Sequence, residues 1–333
     1  MRWIRRLSVA TIGLSLLGAP AASEPLEIRI ARSLDLLELP LLVMQTQRLI
    51  EKQIQARGLG IVTVQWGTPP RGGGIEALAA GQADLAAVDL AVMVAAWDQR
   101  EDTPQRLRAL GTLGRMPFVL VTRNPAIRTI RDFGDKDRIA VPGRGSGPAV
   151  MLEMAAAREW GIERFNRLAP ITLARPDREA AEALASGKGG IDAHFSRLPY
   201  VDAEMARPGV RRVMDSFDVG GPHSVAALAA TVGFRDANPV LCAAILAALD
   251  DAQALIRTHR GAAAEIYVAM SGDKDAAIED LADMMGDPDL NFTTAPAGIM
   301  RLADFMQQTG RIKRRPSRWQ DLFFAEAHTL PGD

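Results

Sequence analysis

Gly143, Gly145 and Gly147 alternate with Arg144 and Ser146 in the segment 138–157. The segment reads as a short buried strand over Ile139, Ala140 and Val141, then a glycine turn, then a helix. Val150, Met151, Met154 and Ala155 keep the three-and-four spacing of a packed helical face. Ser146 or Gly147 falls at the N-cap, and Pro148 suits the first helical turn. A helix start of this kind offers free N–H donors and a partial positive charge, and glycine lets the backbone approach a ligand closely. The chemistry this pattern supports is the holding of an anion or polar head group. The same residues also make an ordinary tight turn.

Other patterns exclude more than they assign. The glycine turn is not the Gly-x-Ser-x-Gly elbow of a serine nucleophile, and it lacks the Gly-Lys-Ser/Thr of a phosphate loop. The four histidines lie far apart, no His-Glu-x-x-His occurs, and the one cysteine, Cys242, cannot build a thiolate site. No metal or cofactor is expected. Arg32, Arg115 and Arg144 could each clamp a carboxylate or sulfonate through parallel hydrogen bonds, though each reads first as a solvated surface charge. His194 has the best claim to a ligand among the histidines; His223, His259 and His328 read as structural. Trp66, before Gly67 and two prolines, is either a core residue or a ligand platform. Asp89 either caps the following turn or touches the ligand.

The elements that position these residues alternate. Residues 26–31, 61–66 and 85–89 read as strands, separated by a helix from about Pro40 to Gln55 and a short one through Glu76, Ala77 and Leu78. Strands alternating with helices argue for a parallel sheet, whose ligands bind beyond the carboxyl ends of the strands. That rule gathers Ser33, Trp66, Gly67, Asp89 and Leu90 around one crevice. Strands over 107–113 and 118–122 follow, then a second unit opened by the glycine turn. Its segment 191–195 repeats the pattern of 83–89: a helix, a glycine stop, and a short strand beginning near an aspartate. Two halves on one plan predict two lobes with a cleft between them, to which Gly145 in the glycine turn would contribute from the second. A strand over 226–234 leads back to the first lobe, and the last third reads as helices.

Composition fits this scheme. The chain has 333 residues, 48% hydrophobic and 24% charged, with a formal net charge of -1, which points away from nucleic acid and anionic membrane surfaces as partners. Residues 1–23 read as a cleavable signal peptide, with Arg2, Arg5 and Arg6, a short apolar run, and small residues before Glu24. No other segment reads as long and apolar enough to cross a bilayer. A periplasmic protein without internal disulfides is expected.

Taken in order, the signal segment, Ala77-Leu-Ala-Ala-Gly-Gln-Ala-Asp84, Pro117-Phe-Val-Leu-Val-Thr, Asp132-Phe133, Arg138-Ile-Ala-Val-Pro-Gly-Arg-Gly-Ser146, the 187–192 turn and Trp319-Gln-Asp-Leu-Phe-Phe carry a resemblance. The chain resembles the solute-binding proteins of ABC importers of the nitrate/sulfonate/taurine type. The resemblance implies an α/β, two-lobed periplasmic-binding-protein type II fold with a central ligand cleft and a helical C-terminal part on lobe 1. Lobe 1 would comprise 24–118 and 224–333, and lobe 2 would comprise 119–223. It implies a monomer that captures a small organic solute, anionic and sulfonate- or carboxylate-like, and delivers it to an ABC permease in the inner membrane. Carried over by motif, Ser146 and Gly147 would serve the solute's polar head, with Ser33, Leu34, Trp66, Gly67, Asp89, Leu90, His194 and Phe195 as walls. A neutral pyrimidine-like solute stacked on Trp66 or Phe195 stays open. So do a ligand-presenting sensor subunit and an enzyme of the thiamine-pyrimidine-synthase kind, against which the signal segment and the scarcity of lysine count.

Overall fold

The computed structural model describes residues 26–70, 73–272 and 276–333; the segment read as a signal peptide lies outside them. β1 (Leu26–Ala31) buries Ile28, Ile30 and Ala31. The single helix expected from Pro40 to Gln55 is two, α1 (Leu39–Gln47) and α2 (Leu49–Ala56), broken at Arg48 in the left-handed conformation with φ 51°. α1 buries its residues from Leu39 to Met44, whereas α2 buries one face through Leu49, Ile50 and Ile54, so the break turns each half onto its own part of the core.

β2 (Val62–Gly67), α3 (Gly74–Ala79) and β3 (Leu85–Asp89) follow, then α4 (Leu90–Arg100), a helix the sequence reading did not place. β4 (Leu107–Arg115) completes this half of the chain. The second half holds β5 (Val119–Thr122), β6 (Ile139–Val141), α5 (Gly147–Trp160), β7 (Thr172–Ala174) and α6 (Asp177–Ser186). It continues through β8 (Ala193–Ser196), α7 (Tyr200–Met205), β9 (Arg211–Asp215) and α8 (Ser216–Gly220). β10 (Ser224–Thr231) returns to the first sheet, and α9 (Val232–Ala237), α10 (Pro239–Thr258), α11 (Arg260–Ser271), α12 (Ile278–Met284) and α13 (Ile299–Gln308) follow, with short 3-10 turns at Trp319–Leu322 and Ala325–Ala327 after them.

The strands form two sheets of five, ordered β2-β1-β3-β10-β4 and β7-β6-β8-β5-β9. In each, the first three strands run parallel and the fourth runs antiparallel to both its neighbours. That fourth strand directly follows a crossover from the other sheet. Two crossovers, 116–118 and 216–223, therefore join the lobes, and they are stitched together. The Phe118 N–H donates to Ser216 Oγ at 2.8 Å, Ser216 N–H donates to the Phe118 carbonyl at 2.9 Å, and Ser216 Oγ meets His223 Nε2 at 2.8 Å. Burial pushes the His223 pKa down to about 4, so this ring is neutral.

The C-terminal helices pack on the first lobe: α10 against α1 and α2, α11 against α1, and α13 against α4. Contrary to the sequence reading, α10 is long and apolar enough to cross a membrane, the one such helix among the described residues. Its Leu241, Cys242, Ile245, Leu249 and Ile256 are buried in the lobe, as a core helix requires, and burial pushes the Cys242 thiol up to about 12.

Candidate functional site

Between the lobes lies a cavity of about 190 Å³, walled by the loop after β1 (Ser33, Asp35, Glu38), the end of β3 (Val88, Asp89), the α5 start (Pro142, Ser146, Pro148), Phe118 and Arg197. Each wall is a strand end or a helix start, where the backbone leaves the sheet and side chains are free to converge. β3 is apolar and buried up to Val88; Asp89 is the first residue with a polar task. Its Oδ1 accepts the N–H groups of Ala91 and Val92 at 2.9 and 3.1 Å, capping α4. Its Oδ2 accepts the N–H of Gly147 at 2.8 Å, across the cleft at the start of α5. Burial raises the Asp89 pKa, and the three N–H groups and the nearby Arg197 oppose that rise.

Arg197 makes the reciprocal crossing. It stands one residue beyond β8 and donates to both oxygens of Asp35 in the first lobe, at 3.0 and 2.9 Å. Its Nε holds Asp177 at 2.8 Å. Burial works against its charge, yet Asp35 and Asp177 hold its pKa above the usual arginine value. Behind it, fully buried His194 lies between Asp177 at 3.3 Å and Glu204 at 2.8 Å. Burial alone would lower the His194 pKa; hydrogen bonds and charge from the two carboxylates outweigh it and raise it. On the opposite wall, Glu38 accepts the Ser33 N–H at 2.6 Å and the Ser33 hydroxyl at 2.8 Å, while burial pushes its pKa up to about 7.

Of the residues anticipated from sequence, Ser33, Asp89 and Ser146 meet at this cavity, with Gly147 against Asp89. Ser146 does not point a donor into the cavity: its hydroxyl and its N–H both go to the Gly143 carbonyl, at 2.7 and 3.1 Å. Leu90 is buried in the first turn of α4, Leu34 is exposed beside Ser33, and Gly145 is exposed in the turn.

Six of the anticipated residues lie away from this cavity. Trp66 and Gly67 line a separate groove with Gln65 and Pro70, because β2 is the edge strand of its sheet; the Arg32 guanidinium lies 5.8 Å from the Trp66 ring centre. Arg115 lines a different hollow with Asn291 and Arg301. Arg144 lies on another, beside Phe165 and the Arg311–Glu153 pair. His194 and Phe195 are fully buried, because β8 is the central strand of its sheet and all four of its residues are covered. Sequence reasoning missed Asp35, Glu38, Phe118 and Arg197. The strand-end rule could have found Arg197, had it been applied two residues past the 191–195 segment rather than within it.

No protein-family model and no curated protein matches the chain. Solved structures do match in shape. The alkanesulfonate-binding protein of Xanthomonas axonopodis pv. citri, bound to MOPS, has a TM-score of 0.67 at 18% identity, over 88% of this chain and 96% of that one. A ligand-binding component of an ABC-type import system from Staphylococcus aureus, with zinc bound, has a TM-score of 0.65 at 11% identity, over 91% and 98%. A Candida albicans protein with the generic periplasmic binding protein fold has a TM-score of 0.61 at 14% identity, over 93% and 96%. The fold is that of the periplasmic binding proteins.

Proposed function

We propose that the protein is a periplasmic solute receptor, which closes its lobes over a small organic molecule and presents it to an ABC importer. The observation that carries this reading is the cavity walled by strand ends of both sheets, with Asp89 and Arg197 each reaching across to the opposite lobe. The likeness in fold to an alkanesulfonate-binding protein and to an importer's ligand-binding component supports it. A solute that makes contacts in the closed form alone shifts the open–closed equilibrium by that difference.

The role is capture without bond making. Ser216 and His223 are hydrogen-bonded, but both are buried in the crossover stitch, and the other His223 nitrogen faces the Ser224 carbonyl at 3.4 Å. As to class, the sequence led to an expectation of a sulfonate or carboxylate. The cavity walls carry Asp89, a Glu38 that is partly charged near neutral pH, and the Asp35–Arg197 pair, whose cation also holds Asp177. That balance favours a solute presenting N–H donors, as an ammonium, amidinium or amide.

A thermal-shift screen across amines, amidines, amides, sulfonates and carboxylates, followed by small-angle scattering of the hits, tests the reading. A solute at about 100 times its dissociation constant adds roughly 2.7 kcal/mol and raises melting by several degrees. Compaction with the same solute is expected. A panel without a melting shift and without compaction would overturn the reading.

A further inference from the structure

We infer that Asp89 sets the charge class of the solute: its carboxylate fills the position an anionic head would take between the starts of α4 and α5, so the cavity admits donor-bearing heads and turns away sulfonates and carboxylates. This rests on the solute-receptor reading and narrows it.

The geometry is specific. α4 and α5 have 11 and 14 residues, long enough for their starts to attract negative charge, and both starts aim at one side chain. Three backbone N–H groups reach the two Asp89 oxygens at 2.8 to 3.1 Å. A carboxylate has about four lone-pair directions, which leaves roughly one for a donor on the solute. The site is also tight: a Cβ built on Gly147 would lie 3.2 Å from Asp89 Oδ2 and 3.1 Å from the Phe118 ring. An incoming sulfonate would therefore find its donors taken and would face the Asp89 carboxylate, with Glu38 only partly charged at its pKa of about 7 and Asp35 paired with Arg197. Arg197, the one cation among the described residues lining the cavity, is held by Asp35 and Asp177.

The test compares the wild type with Asp89→Ser and Asp89→Asn, both able to cap α4 and so keep the fold. Each is titrated by calorimetry at pH 7 with butylammonium and with butane-1-sulfonate, which share an alkyl chain and differ in head charge. The wild type is expected to favour butylammonium by about tenfold or more, and Asp89→Ser to reverse that order, because the like charge is gone and the Gly147 N–H at the start of α5 is open while Ser still caps α4. Asp89→Asn should fall between them. A wild type that prefers the sulfonate, or one order of preference in all three proteins, would overturn the role of Asp89 and leave the receptor reading standing. Silence from all three toward both probes would also overturn it, since the opened position in Asp89→Ser should hold a sulfonate. The receptor reading fails separately, when the wider panel produces no closure of the wild type. Melting curves within a few degrees of wild type confirm that the variants are folded.

Discussion

The two sheets are built alike and finished oppositely. Each places an aspartate just before its central strand, and in each that aspartate takes the backbone N–H of a parallel neighbour: Asp84 from Arg29 and Asp192 from Arg138, both at 2.8 Å. Past the far end of the same strand the two diverge. The first sheet ends β3 on an acid that accepts from the other lobe; the second follows β8 with a base that donates to it. Their interiors differ as well. β3 is apolar up to Val88, whereas β8 carries His194 between two acids that raise its pKa. The shared features serve the sheet, and the differences all concern the cleft and its support.

The largest test of this contrast is Arg197→Met, which keeps the apolar stem and leaves Asp35 and Asp177 without their cation. A loss of about 3 to 5 kcal/mol in urea unfolding is expected, as for other broken buried pairs. A loss below about 1 kcal/mol would mean that the latch is a surface pair.

Next come the two buried histidines, which predict opposite limbs in a stability profile from pH 4 to 9. His223 is depressed from the ordinary value to about 4, so the unfolded chain takes up the proton first. Stability should fall as pH drops from about 6.5 toward 4, by about 3 kcal/mol in all. His194 is raised, so its contribution is complete in acid and is lost as pH rises through its folded pKa. His223→Gln should flatten the acid limb alone; an unchanged limb would show that the crossover stitch does not titrate.

The smallest effect concerns the shared part. Asp84 also holds the Arg29 side chain at 2.8 and 3.1 Å, whereas Asp192 holds the backbone N–H of Arg138. Asp84→Asn should cost about 1.5 kcal/mol and Asp192→Asn about 1. The reverse order in thermal melts would break the equivalence of the two positions.

Most of the fold was legible because strand and helix patterns are local. The alternation in Leu26–Ala31, the buried run Ile139–Val141 and the glycine stop at Gly187 each speak within a few residues. What was missed has no local mark. Arg48 carries none of the residue types that announce a helix break, and α4 follows an aspartate that serves equally as a turn. The position of the candidate cavity was legible from strand ends and helix starts, where Ser33, Asp89 and Ser146 stand. It was illegible where long side chains cross the cleft, because the Arg197–Asp35 contact spans 162 residues. His194 misled for the same reason: a polar residue in a strand signals a cleft only when that face of the sheet is open, and here both faces are covered.

Gly147 sets a clearance. With Asp89 and the Phe118 ring both just over 3 Å from where a methyl group would stand, the lobes meet at this point with less than one carbon atom to spare. On the proposed receptor reading, closure is gauged like a fitted joint: a solute too bulky by a single atom at that corner would leave the Gly147–Asp89 hydrogen bond unmade, a limit on size separate from the proposed recognition of charge.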